Sequence, residues 1–110
     1  MINVSIYTNA ESMITGIKVS GHAKYSKYGS DVVCAAVSVL VLNTINSIES
    51  FTQDRFTIDQ DEKKGFLEFH VLSPMSNSSQ LLLNSLVLGL QGVVDEYTDK
   101  YIKLAQVETQ

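Results

Sequence analysis

Apolar and polar residues alternate from the start of the chain. Across Ile2–Thr8, the side chains of Ile2, Val4 and Ile6 fall on one side and those of Asn3, Ser5 and Tyr7 on the other. This is the two-residue period of a half-buried strand. Asn9-Ala10-Glu11-Ser12 reads as a turn, and the alternation resumes over 13–20, where Ile17 and Val19 stand between Gly16, Lys18 and Ser20. The two segments predict an amino-terminal β-hairpin. A loop over 21–30, with two Gly, two Lys and two Tyr, then breaks the pattern.

From Asp31 onward the period changes. Val32, Val33, Cys34, Ala35, Ala36 and Val37 open an uncharged run, and apolar positions recur through Ile45 and Ile48 to Phe51. The β-branched content suits a strand, but the length selects a helix. Ser30 or Asp31 is the expected N-cap. A helix apolar on nearly all sides is expected to be buried on nearly all sides, against the sheet and against either a second helix or another subunit.

Phe56-Thr57-Ile58-Asp59 and Phe66–Val71 predict two more strands, joined by the charged turn Asp61-Glu62-Lys63-Lys64-Gly65 into a second hairpin. Asn77 with Gln80 three residues on resembles a capping box. The helix that follows puts Leu83, Leu86, Leu90, Val93 and Tyr97 on one stripe, and 101–107 forms a last strand. The predicted order is ββαββαβ, an α+β fold in which two hairpins and a C-terminal strand make a sheet packed with two helices.

Composition narrows the function. With 110 residues, 45% hydrophobic and 18% charged, the chain is expected to form one domain over 1–110, and disorder is excluded. No uninterrupted apolar run reaches bilayer-spanning length, so no membrane helix is expected. No secretory signal is expected at Met1-Ile2-Asn3-Val4, which lacks a basic and an apolar region. The single Cys rules out an intrachain disulfide and fits a reducing cytoplasm. One Cys and two His are too few for a structural zinc site, and neither metal nor cofactor is expected. A net charge of −4 argues against direct nucleic-acid binding and is compatible with a basic partner.

Candidate chemistry centres on Cys34, at about the third position of the predicted first helix. Unpaired N–H groups there favour a thiolate and can hydrogen-bond an oxyanion. His22 follows Gly21 at the end of the second strand, 12 residues before Cys34, and a loop of that length can bring imidazole to sulfur as a general base. Asp31 can cap the helix or orient His22, and Ser38 lies one turn beyond Cys34 on the same face, where it can support the site or bond the preceding turn. Tyr25 and Tyr28, with Lys24 and Lys27 between Gly21 and Gly29, suit a lid over an extended substrate. His70 reads as a strand histidine. The alternatives are a buried, inert Cys34 and a redox-sensing Cys34.

Gly21-His22-Ala23, a loop, then Gly29-Ser30-Asp31-Val32-Val33-Cys34-Ala35-Ala36-Val37-Ser38 resemble the ribosomal-processing cysteine protease family of Firmicutes and relatives. That family's pattern is a G-H-A turn followed by G-x-D-x-V-C-A-A-V-S. The resemblance continues through Gly89-Leu90, Glu96-Tyr97 and Tyr101-Ile102, and suggests the staphylococcal member of the family. It implies a cysteine endopeptidase that removes the N-terminal extension of a large-subunit ribosomal protein, the one whose mature end reaches toward the peptidyl-transferase centre. Cleavage is expected after an aromatic pair and before a small residue. The implied roles are His22 as base and Cys34 as nucleophile, with Asp31 and Ser38 in supporting positions. The resemblance also implies a homodimer, and beside the protease it leaves the alternative of a non-catalytic dimeric adaptor that binds a ribosomal protein or its precursor, with Cys34 buried and inert.

Overall fold

The predicted alternation resolves into a five-stranded mixed sheet. Strands β1 (Ile2–Thr8) and β2 (Ile14–Ser20) pair antiparallel, with Val4 opposite Val19 and Ile6 opposite Ile17, so their apolar side chains share one face. Met13, expected in the strand, belongs to the turn. Its N–H and that of Glu11 each donate 3.0 Å to the Asn9 side chain. Strands β3 (Phe56–Asp61) and β4 (Phe66–Val71) form the second hairpin, β4 pairs antiparallel with β2, and β5 (Ile102–Glu108) lies parallel to β1. The sheet order is β3-β4-β2-β1-β5. Helix α1 (Tyr28–Phe51) connects β2 to β3, and α2 (Asn77–Tyr97) connects β4 to β5. The computed structural model describes residues 1–21, 28–97 and 100–109, with 28–31 placed by backbone alone.

One apolar cluster joins the layers. Ile2, Val4, Ile6, Ile17, Phe69 and Ile102 from the sheet meet Val33, Val37, Val41, Ile45 and Ile48 of α1 and Leu83, Leu86 and Leu90 of α2. This burial explains why α1 is helical despite its valines. Helix propensity costs at most about 0.7 kcal/mol per ordinary residue, whereas each buried aliphatic side chain contributes about 1.5–3 kcal/mol. Within the single chain only one stripe of α1 is buried. Val39 is 67% and Phe51 78% exposed.

By length and composition alone, Val32–Phe51 is also apolar enough to cross a membrane. That corrects the expectation of no such segment, which rested on uninterrupted apolar runs, because Val32–Phe51 qualifies by mean hydropathy although polar residues interrupt it. The buried stripe of this helix is part of the core.

Three ends differ from expectation. Helix α1 begins at Tyr28, so Ser30 and Asp31 are its third and fourth residues rather than its N-cap. An acidic residue is favoured at a cap and in the first turn alike, so residue type did not fix the boundary. At α2, Ser76 is the cap: its hydroxyl accepts from the Ser79 N–H at 3.1 Å. Gln80 does not complete a capping box. Its side-chain oxygen accepts from the Ile14 N–H at 2.9 Å and its amide donates to the Ile14 carbonyl at 2.8 Å, tying α2 to the start of β2. The charged turn between β3 and β4 contains a short 3₁₀ helix, Glu62–Lys64. Asp61 accepts from the Lys63 and Lys64 N–H groups, and Gly65 closes the turn at φ 61°.

Candidate active site

Cys34 is half-buried on α1 and faces a cleft of about 320 Å³. Helical spacing places Cys34, Val37, Ser38, Val41 and Leu42 along one wall. Ile2, Val19 and Leu67 come from the sheet, and Gln60, Glu62, Gly65 and Phe66 from the β3–β4 hairpin. The lining is mostly aliphatic, with polar groups at the edges. Its volume lies at the small end of ligand pockets, a size suited to individual side chains of an extended peptide.

Gly21 borders this cleft at φ +105°, a backbone conformation that glycine tolerates and other residues rarely adopt. A Cβ there would run into the Met1 carbonyl. The end of β2 is thus held close to the start of β1, and the chain leaves the sheet at the edge of the cleft.

The earlier start of α1 changes the electrostatics expected for Cys34. Counting from Tyr28, Cys34 is the seventh helical residue, one turn deeper than expected. The four N–H groups without intrahelical partners belong to residues 28–31, so the Cys34 N–H is committed to the helix. Ser38 supplies a different donor. Thr44 and Thr52 bond back to carbonyls four residues earlier, at 2.8 and 2.7 Å. The exposed Ser38 hydroxyl makes no such bond among the described residues, and it opens on the same cleft as Cys34.

His22 and Tyr25 lie outside the described residues, as do Lys24 and Lys27. Tyr28 and Gly29, expected in the loop, are the first two residues of α1. Asp31 lies on the first turn of that helix, one turn before Cys34.

His70 belongs to the opposite face of the sheet. In β4, Leu67 and Phe69 point to the helices, while Glu68 and His70 alternate to the other side. The imidazole stacks on Tyr7 with ring centroids 4.9 Å apart, and its Nε2 donates to Glu68 at 2.8 Å. Gly16 makes room for it, since a Cβ there would sit 2.9 Å from Nδ1. Desolvation, then the charge and hydrogen bond of Glu68, push the Tyr7 hydroxyl pKa up.

The contribution of the β3–β4 hairpin was not visible in the sequence. Alternation pointed Leu67 inward, but nothing local indicated that the turn would stand beside α1.

A cysteine thiol, and a hydroxyl with no hydrogen bond among the described residues, open on one mostly apolar cleft, an arrangement compatible with a thiol nucleophile. Comparison with known proteins makes the class specific. The model of the cysteine protease Prp family matches residues 1–103. The ribosomal processing cysteine protease Prp of Staphylococcus aureus (strain Mu50) is 31% identical over 99 residues, covering 90% of this chain and 93% of that protein. The crystal structure of the S. aureus protease in complex with a substrate peptide aligns with a TM-score of 0.90 at 30% identity, covering 97% of this chain and 100% of that one. The same protease with a covalently linked product peptide aligns at 0.87 and 31%, with the same coverage. The chain belongs to the cysteine protease Prp family and is a cysteine-type protease. The close similarity expected to the staphylococcal member is not found: at 31% identity the likeness is one of family, and the shared motif around Cys34 had suggested more.

Proposed function

We propose that this protease removes the N-terminal extension of a large-subunit ribosomal protein, cutting after an aromatic pair and before a small residue. The observation that carries the reading is the apolar cleft opening on Cys34 within the G-H-A and G-x-D-x-V-C-A-A-V-S motifs. The S. aureus relative is a ribosomal processing protease that takes a peptide substrate, and an aliphatic cleft suits apolar side chains beside the scissile bond.

In this mechanism His22 takes the Cys34 proton, and the thiolate attacks the scissile carbonyl carbon. A C–S bond forms and the carbonyl oxygen becomes an oxyanion. The Ser38 hydroxyl donates to that oxygen, replacing the Cys34 backbone N–H, which the helix has consumed. His22 then protonates the leaving amine as the C–N bond breaks. Water attacks the thioester and His22 accepts its proton. The carboxylate product leaves as the thiol is restored. Asp31 orients His22, and Gly21, Tyr25, Tyr28 and Gly29 border the path of the bound peptide. No cofactor is required. The working unit in this proposal is a cytoplasmic homodimer that acts without direct nucleic-acid or membrane contact.

The test is incubation with a peptide carrying an aromatic-aromatic-small junction, followed by mass spectrometry. Two products meeting at that junction support the reading. An intact peptide, or scattered cuts, rejects it.

A further inference from the structure

The cleft beside Cys34 has one feature that an apolar substrate side chain does not use. Glu62 stands at its rim on the β3–β4 turn, in the same cavity as Cys34 and Phe66. Nearby carboxylates have assigned partners. Asp61 accepts from two backbone N–H groups of its own turn, and Glu68 binds His70 on the far face of the sheet. The Glu62 carboxylate has no hydrogen bond or ion pair among the described residues.

The turn carrying Glu62 is well defined. Asp61 caps its start, and Gly65 closes it with a 3.2 Å bond to the Glu62 carbonyl. The backbone beneath this carboxylate is therefore held in place beside the cleft, within reach of a bound peptide. Phe66, at the other end of the turn, lines the apolar part of the same cavity. At the cleft the turn presents the Phe66 ring and the Glu62 carboxylate together, while Lys63 and Lys64 of the same turn are not among the lining residues.

We infer that Glu62 is a specificity residue that pairs with a lysine or arginine of the substrate, a few residues from the apolar side chain held in the cleft. The inference rests on the endopeptidase reading above and adds a second requirement to it: an apolar residue at the cut and a cation nearby. A peptide satisfying only the first is a poorer substrate. Because Glu62 is exposed, the pair has the strength of a surface ion pair, equivalent to about a 2- to 5-fold change in KM, and salt screens it.

The experiment uses the full-length protein and a set of peptides sharing one aromatic-aromatic-small junction. In each peptide a single lysine replaces glutamine at one position on either side of the junction. At low salt, one lysine position should lower KM about 2- to 5-fold relative to the all-glutamine peptide, with kcat nearly constant. Glu62→Gln should abolish this preference, so that the lysine peptide and the all-glutamine peptide share one KM. Glu62→Lys should favour a glutamate at the same position. A lysine preference that persists in both variants, or none at any position, overturns the role of Glu62 and leaves the protease reading intact. Failure to cleave any peptide, the all-glutamine one included, rejects both.

Discussion

At the residue scale, topology separates His70 from Cys34. His70 lies on the sheet face away from the helices, held by Tyr7 and Glu68, whereas Cys34 opens on the helix side. The strand alternation of Phe69-His70-Val71 already carried this distinction, since neighbours of an inward-facing Phe must face outward. His22→Ala is expected to lower turnover by about a hundredfold or more, the scale of general acid–base catalysis. His70→Ala should retain most activity in the folded protein. Steady-state rates on one peptide compare them directly, and the opposite ranking would move the base to β4. Other residues at the cleft were harder to read. Cys34 and Ser38 were legible from helical spacing and motif, but Glu62 and Phe66 come from a hairpin distant in sequence, and no local pattern records that approach.

At the element scale, the strands followed from alternation because one face of the sheet is apolar and the other polar. The helix starts did not, because they depend on single hydrogen bonds. Ser76 illustrates this at α2. Its side chain caps the helix, while its own N–H and hydroxyl donate to Asp54 at 2.9 and 2.7 Å. Sequence favoured Asn77, an equally good cap type one residue on, and Gln80 fitted the box until β2 claimed its amide. Ser76→Ala should destabilise the protein by about 0.5–2 kcal/mol, the usual cost of a lost cap. The Ser79 hydroxyl, then the N–H and hydroxyl of Ser76, hold the Asp54 carboxyl below its ordinary pKa. A carboxylate lowered on folding contributes stability above its unfolded pKa of about 3.9, and that contribution is lost as pH falls through the lower folded value. Asp54→Asn should therefore weaken the fold at pH 7 and shrink the loss of stability on acidification. Denaturant titrations at pH 7 and pH 3 measure both. An unchanged acid dependence would remove Asp54 from this role.

At the scale of the whole molecule, α1 and α2 leave large apolar side chains uncovered. Val39 is 67% exposed, Leu81 70% and Leu88 76%. The sequence showed that α1 carries more apolar surface than one sheet and one helix can cover, although not which positions would be left over. Covering these side chains with a second copy is the homodimer proposed above. Light scattering at micromolar concentration should give twice the 12.1 kDa chain mass. Val39→Lys combined with Leu88→Lys should shift the protein toward monomer, and a monomeric wild type would refute the proposal.

The central claim is that Cys34 performs covalent proteolysis in this cleft. Its most direct test compares wild type with Cys34→Ala on one peptide with an aromatic-aromatic-small junction, by intact mass over time. Wild type should release two fragments meeting at the junction and, when quenched early with acid, carry the mass of the acyl fragment on Cys34. Cys34→Ala should remain folded, carry no adduct and release no fragments. Cleavage by Cys34→Ala at the wild-type rate would contradict the account.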